Sequence, residues 1–120
     1  MINGFEDFTY ELSDKEKRIL PWFVNGLKVK IGKEKAVTNK EMCAGFLRLG
    51  QIVSEARARK IISHIRINGL VKNLIATSKG YYIEPDLERR RVYVESLNQR
   101  IRAIEAVRDS FEITGQTEFL

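Results

Sequence analysis

Residues 54–69, SEARARKIISHIRING, carry the pattern on which the predicted fold depends. The stretch begins at Ser54, whose hydroxyl can accept a hydrogen bond from an unpaired amide in the first turn of a helix. It ends at Asn68 and Gly69, residue types that adopt the left-handed backbone common where helices stop. Between these ends, apolar side chains recur at the spacing of one helix face: Ala58, Ile61, Ile62 and Ile65. The pattern predicts a helix with one buried stripe.

The other side of this predicted helix is basic. At about 100° per residue, the positions farthest from the apolar stripe hold Ala56, Arg59, Lys60 and Ser63. Arg57 and His64 lie on one flank, and Arg66 lies nearer the edge of the stripe. Four bases among the ten residues 57–66 are typical of a phosphate-binding surface, although a solvated helix face would carry the same charge.

A shorter helix is predicted upstream of the basic one. Thr38 and Glu41 have the spacing of a capping box, and apolar side chains follow at helical spacing. Leu49 and Gly50 are expected to end this helix and to form the turn before Ser54.

A β-hairpin is predicted downstream. Two short β-prone runs, 74–76 and 81–83, bracket a turn in which Gly80 can supply a positive φ. Capped helix, turn, capped basic helix and hairpin, in this order, predict a winged helix-turn-helix over residues 36–84. The expected fold class is mainly α with a small β-hairpin (α+β).

The N-terminal part of the chain contains one more helical pattern. Ser13 and Glu16 form a capping box, and Pro21 predicts a kink inside the helix that follows. Its apolar positions are Leu20, Phe23, Val24, Leu27 and Ile31. The end of this helix stays open, because Gly32 would stop it whereas the alternation over 27–31 also permits a short strand. Residues 36–37 are a second candidate for a brief strand.

The longest helical pattern runs from about residue 86 to residue 111. Its heptad seam consists of Leu87, Arg90, Val94, Leu97, Ile101, Ile104, Arg108 and Phe111. The seam has two interpretations: packing on the first helix of the same chain, or pairing with a second copy in a homodimer. The predicted organisation is a winged helix domain over 1–85, a long C-terminal helix over 86–114 as a candidate dimerisation element, and a tail over 115–120.

Composition limits the classes of function. The 120 residues are 43% hydrophobic and 31% charged, values of a folded protein, and the net charge is +5. Residues 1–16 hold five acids and one base, whereas residues 54–72 hold five bases and one acid. There is no apolar run of about 20 residues, the acidic N-terminus is unlike a secretory signal, and a lone cysteine forms no internal disulfide. We therefore expect a cytoplasmic protein.

The sequence shows none of the patterns expected of an enzyme. It has neither a Gly-rich phosphate loop nor a dinucleotide fingerprint, and one histidine with one cysteine cannot form a zinc site. Cys43 falls on an apolar helix face, which favours an inert thiol. We expect no catalysis, no cofactor, no metal and no small-molecule substrate.

The basic helix and the hairpin turn supply the predicted contacts to double-stranded DNA. The small side chain of Ala56 lets the backbone approach the bases, and Arg57 or Arg59 could pair with guanine, which discriminates by roughly 1–3 kcal/mol. Lys60 and Ser63 suit phosphate, as do the hydroxyls and the lysine of the turn. The predicted DNA-binding residues are Ser54, Ala56, Arg57, Arg59, Lys60, Ser63, Thr77, Ser78 and Lys79. The alternative is a non-catalytic protein-interaction or assembly module that uses the winged helix and the C-terminal helix.

Four segments also resemble a known family. They are TNKEMC (38–43), SEARARKIISHIRINGL (54–70), ATSKGYYI (76–83) and SLNQRIRAI (96–104). Together they are similar to small winged helix proteins encoded by phages and prophages, over roughly residues 12–111. The resemblance implies DNA binding, with the helix over 54–66 reading the DNA and the turn over 78–82 as the wing. The role it implies is transcription regulation or association with replication.

Overall fold

The computed structural model of the protein describes residues 11–113. The chain divides into two compact units, Met1–Pro85 and Asp86–Leu120. The elements of the first unit are α1 (Asp14–Leu27), a short 3-10 helix (Lys33–Lys35), α2 (Asn39–Arg48), α3 (Glu55–Asn68), β1 (Leu74–Thr77) and β2 (Gly80–Ile83). The second unit contains α4 (Leu87–Ser110). The described chain is mainly helical with one small antiparallel sheet, which confirms the predicted α+β class. The predicted tail over 115–120 lies outside the described residues.

Side-chain caps begin the helices of the first unit where the sequence predicts them. In the box of α1, Ser13 Oγ accepts from the Glu16 amide at 3.2 Å and Glu16 Oε1 accepts from the Ser13 amide at 2.7 Å. Thr38 and Glu41 exchange the same two bonds before α2, at 3.1 Å and 2.9 Å. Because these bonds satisfy amides that have no partner inside the helix, they define where α1 and α2 start.

The two ends of α3 are also defined by single residues. Ser54 Oγ accepts from the Arg57 amide at 3.1 Å, and Gly69 adopts the left-handed conformation at φ 64° immediately after Asn68. The prediction for residues 54–69 is therefore confirmed at both ends.

The end of α1 resolves the alternatives that the sequence leaves open. The helix passes through Pro21 and stops at Leu27. Ile31 instead forms a parallel bridge to Ile83, so the segment after α1 is extended at that point and Ile31 is not part of the helix. Of the two alternatives, a helix that continues to Gly32 is wrong, and the extended one fits Ile31, whose side chain is exposed and not part of the core.

The hairpin pairs with the segment before α2, and Gly80 permits the close approach of the two backbones. β1 and β2 pair antiparallel with Thr77 opposite Gly80, and Val37 forms an antiparallel bridge to Tyr81. Gly80 has φ 120°, and a Cβ built there would lie 2.5 Å from both the carbonyl carbon and the oxygen of Val37. The glycine is needed both for the turn and for this close backbone approach.

The core of the first unit lies where α1, α2 and α3 meet. The predicted stripe of α3 is buried, with Ala58, Ile61, Ile62 and Ile65 no more than 1% exposed. Phe23 of α1 and Phe46 of α2 stack with ring centroids 4.6 Å apart. Because one side of α3 is committed to this core, its opposite side is held at the surface of the unit.

Candidate nucleic-acid interface

The exposed residues in the first turns of α3 are Glu55, Ala56 and Arg59, and the helical spacing predicts the last two. Ser54, which caps the helix, is exposed as well, and Ser63 one turn beyond Arg59 is half-buried. Arg59 is the one long basic side chain that the helix directs outward among the four bases predicted over 57–66. It is therefore the base of α3 that is most accessible at the surface of the unit.

Arg57 and Lys60 are held by a buried carboxylate. Glu16 is only 4% exposed. Its Oε2 accepts from Arg57 Nε at 3.2 Å, and its Oε1 accepts from Lys60 Nζ at 2.9 Å. The prediction that Lys60 points outward is wrong, since its side chain lies against α1. We call these three residues the Glu16 cluster.

The Glu16 cluster keeps its carboxyl group ionised. Burial raises the pKa of Glu16, but the hydrogen bonds from the Ser13 amide and from Lys60, together with the Lys60 charge, lower it further than burial raises it. The pKa of this carboxyl therefore lies below its usual value. A buried carboxylate with partners on both oxygens is satisfied, and it offsets one of the two positive charges that face it.

The role of Glu16 as an ion-pair partner does not follow from its capping box. Glu16 lies on the same face of α1 as Phe23 and Leu27, at i, i+7 and i+11, and all three are buried. A carboxylate on an apolar stripe needs a cationic partner. This spacing is the signal in the sequence that could have located the ion pairs.

The hairpin turn uses one of its predicted phosphate ligands for its own structure. Thr77 Oγ1 donates to the Gly80 carbonyl at 3.1 Å and accepts from the Lys79 amide at 3.2 Å. Ser78 and Lys79 are exposed. Thr77 thus shapes the turn, whereas Ser78 and Lys79 extend from it.

A second basic residue lies beside the turn. Lys33 of the 3-10 helix and Lys79 line the same open cavity of about 490 Å³, together with Glu34 and Ala36. The sequence patterns do not predict a role for Lys33, because its proximity to the turn depends on the bridge between Val37 and Tyr81. Lys33 thus joins Ser78 and Lys79 as an exposed residue beside the hairpin turn.

Cys43 and His64 take part in packing and in local hydrogen bonding. Burial raises the pKa of the Cys43 thiol, the charge of Glu55 raises it further, and Arg59 opposes both. A raised pKa keeps the thiol protonated at neutral pH, as expected of an unreactive cysteine. The backbone carbonyl of His64 accepts from Asn68 Nδ2 at 2.9 Å in the last turn of α3. Over residues 11–113, no three His, Cys, Asp or Glu side chains cluster as metal ligands would.

The first unit also has an apolar groove between α1 and α2. It encloses about 420 Å³ and is bordered by Trp22, Gly26, Met42, Phe46 and Leu49, among others. Trp22 and Phe46 stack in its wall with ring centroids 6.1 Å apart. The groove is open beside Gly26, because a Cβ built on this glycine would meet no atom within 4 Å.

Comparisons with models of protein families, with curated proteins and with solved structures found no match to this chain. Within the described part of the chain, none of the helices has both the length and the apolar character that crossing a membrane requires.

Proposed function

We propose that this protein binds double-stranded DNA through a winged helix-turn-helix. In this proposal α2 and α3 are the helix-turn-helix, α3 is the recognition helix in the major groove, and the turn between β1 and β2 is the wing. The protein would belong with the small phage and prophage winged helix proteins that its sequence resembles, acting in transcription regulation or beside replication. The observation that carries the proposal is that α3 buries its apolar stripe while Ala56 and Arg59 stay at the surface.

The exposure of the predicted contact residues favours different DNA groups as their partners, either base edges or phosphates. Arg59 is exposed and follows the small Ala56, so it is assigned to a base edge. Ser63, Ser78 and Lys79 are assigned to phosphates, and Lys33 joins them because it borders the same cavity as Lys79.

The Glu16 cluster changes the role of the two remaining bases. Arg57 and Lys60 are anchored at 3.2 Å and 2.9 Å from Glu16, so reaching a phosphate would cost them part of an ion pair with a buried group. We assign them to holding α3 on α1, with a smaller contribution to DNA binding than Arg59 has.

Binding of a random DNA duplex across a salt series tests the proposal. Log affinity is expected to fall with log salt at a slope of about −0.9 for each phosphate neutralised. Fluorescence anisotropy of labelled duplex gives both affinity and slope. Undetectable binding at low salt would contradict DNA binding altogether.

Arg59→Ala is the sharpest variant for this assay, and Arg18→Ala is its matched control. Arg18 is an exposed arginine of α1 on the side away from Phe23 and the core. In random duplex, Arg59→Ala is expected to weaken binding at low salt and to make the salt slope shallower by up to about 0.9, whereas Arg18→Ala should change both little. Equal losses for the two variants would mean that binding follows net charge and not the α3 surface.

A second candidate function is a non-catalytic protein-interaction or assembly module. The apolar groove bordered by Trp22, Phe46 and Leu49 favours it, because exposed apolar concavities are typical of sites that bind proteins. Under this alternative, Arg59→Ala leaves function untouched, and the wild-type protein shows no salt-dependent binding to DNA. Lys60 is kept in this test because it pairs with the buried Glu16.

A further inference from the structure

Helix α4 presents a row of exposed apolar side chains along its heptad seam. Leu87, Val94, Ile101, Ile104 and Phe111 are all at least 52% exposed, and α4 contains no buried residue over its 24 positions. The row is continuous from Val94 to Ile104 and is interrupted by Arg90 and Arg108 near its ends. An exposed apolar row of this kind is typical of an interface.

We propose that α4 pairs with α4 of a second copy as a parallel, two-stranded coiled coil. The proposal goes beyond DNA binding and does not rest on it. The identity of the core residues supports this pairing. Val94 and Ile101 occupy successive a positions, and Leu97 lies at the d position between them. β-branched residues at a with leucine at d favour two parallel strands. This pattern holds over residues 94–101, whereas Leu87 at a and Ile104 at d depart from it.

The charges that flank the seam support the same pairing. In a parallel pair, each g residue faces the e residue five positions later in the other copy. Arg100 would then face Glu105. Asp86, at the g position before Arg91, is the extended N-cap and lies outside the helix, so it is not counted. By symmetry the pair of Arg100 and Glu105 occurs twice, and no g residue faces an e residue of like charge.

An antiparallel pair centred on the same seam is less favourable. It would place Arg100 of one copy against Arg100 of the other, and it would keep only the attraction between Arg91 and Glu105. The two arginines within the seam, Arg90 and Arg108, meet another arginine in either orientation, so they do not distinguish the two. The repulsion between the two copies of Arg100 therefore makes the flanking charges favour the parallel pair.

Several features limit the strength of this pair. The helix is only about three and a half heptads long, and Arg90 and Arg108 bring like charges together near its ends. We therefore expect a reversible dimer whose population depends on protein concentration.

Light scattering and sedimentation of the full-length protein across a concentration series test the dimer. Ile101→Gln removes an a-position side chain and should weaken dimerisation by about tenfold or more. Val92→Gln is the matched control, because Val92 is an equally apolar, exposed residue at the outer f position of the same helix. A wild-type monomer at every concentration, or equal effects of the two variants, would overturn the proposal.

Disulfide cross-linking tests the orientation, in a background where Cys43→Ala removes the one native cysteine. In a parallel pair Arg108→Cys brings two thiols into the same layer, so the protein should cross-link to itself rapidly. In an antiparallel pair position 108 would face position 90, and the two thiols would be about 27 Å apart. A mixture of Arg90→Cys and Arg108→Cys proteins would then form the mixed cross-link, and finding it in excess would overturn the parallel orientation. Because neither measurement uses DNA, a failure here is distinct from a failure of DNA binding.

Discussion

Helices α3 and α4 are both rich in arginine, yet α3 buries an apolar face and α4 leaves its apolar seam exposed. α3 is 14 residues long and buries four apolar side chains, Ala58, Ile61, Ile62 and Ile65. α4 is 24 residues long and buries none. The difference shows that a helical period in the sequence predicts a helix in both cases, whereas the use of its apolar face depends on what covers it.

The basic side chains of the two helices differ as well. On α3 two of the bases are tied to the buried Glu16. On α4 the pair between Arg91 and Glu88 at 2.7 Å and the pair between Arg102 and Glu95 at 3.0 Å are local and exposed. Exposed pairs of this kind contribute at most about 1 kcal/mol. Two of the bases of α3 are therefore part of its packing, whereas Arg59 and the two ion pairs named on α4 are exposed.

The largest expected difference between the two helices is in stability. Ile62→Ala removes a side chain that is 1% exposed and should lower the free energy of unfolding by about 2–5 kcal/mol. Ile104→Ala, the matched change on the exposed seam of α4, should change it by less than about 1 kcal/mol in dilute solution. Trp22, the one tryptophan, stacks on Phe46 in the first unit, so its fluorescence in a urea titration reports that unit.

Equal decreases in the free energy of unfolding for Ile62→Ala and Ile104→Ala would contradict the difference between the buried stripe of α3 and the exposed seam of α4. They would mean that the seam of α4 is as important to the first unit as the core stripe of α3 is.

The sequence predicts the elements of the first unit well because their signals are local. The boxes at Ser13 and Thr38, the cap at Ser54 and the stop at Gly69 each depend on bonds within one helix turn. A side chain that reaches its own backbone three residues away needs no tertiary information. The hairpin is equally local, since Gly80 follows from the turn itself.

The parts that sequence reasoning missed depend on contacts between distant residues. Lys60 appears solvent-facing on a helical wheel, but its partner Glu16 is 44 residues earlier in the chain. Ile31 appears helical by spacing, but it pairs with Ile83. Lys33 lies next to Lys79 only because the hairpin docks on Val37. The period of a single helix contains none of this information.

The next largest effect is expected from breaking the Glu16 cluster. Glu16→Gln keeps an oxygen that can accept from the Ser13 amide but removes the charge that binds Arg57 and Lys60. Because hydrogen bonds to charged groups contribute about 1.5–3 kcal/mol, and the two bases can be rehydrated at the surface, we expect a loss of about 1–3 kcal/mol in the free energy of unfolding. Glu41→Gln is the matched control, since Glu41 caps α2 in the same way but forms no ion pair with any described residue.

The Glu16 cluster also makes the free energy of unfolding depend on pH. The pKa of Glu16 is lowered in the folded protein, so the unfolded chain takes up a proton at a higher pH than the folded chain does. The contribution of Glu16 is complete above the usual glutamate pKa and is lost as pH falls through the lower, folded value. Urea titrations at decreasing pH should show the wild-type advantage over Glu16→Gln shrinking in acid. An advantage that stays constant into acid would show that the carboxylate charge contributes nothing.

A smaller effect of the same substitution is expected in DNA binding. Releasing Arg57 and Lys60 from Glu16 should let them reach phosphates, so Glu16→Gln should bind random duplex severalfold more tightly at low salt and have a steeper salt slope by about 0.9 per phosphate gained. Glu41→Gln makes the same change in net charge and serves as the control. If both variants gain equally, the gain comes from net charge and the Glu16 cluster does not restrain the two bases.

The smallest expected effect concerns the charges that flank the seam of α4. Arg100→Glu and Glu105→Arg should each weaken the dimer, by up to about 1 kcal/mol for each ion pair removed, because each places like charges across a parallel pair. The double variant recreates opposite charges at the same two positions and should restore most of the wild-type affinity. Sedimentation of the three variants at moderate and high salt measures this, and the differences should shrink as salt screens the charges.

The double variant behaves differently in the two orientations of the pair. In an antiparallel pair the two introduced glutamates at position 100 would face each other, and the introduced arginine at position 105 would face Arg91 of the other copy. Both of these pairs are repulsive, so the double variant would dimerise no better than the single variants do. A failure to restore dimerisation would therefore contradict the parallel register while leaving the apolar seam itself intact.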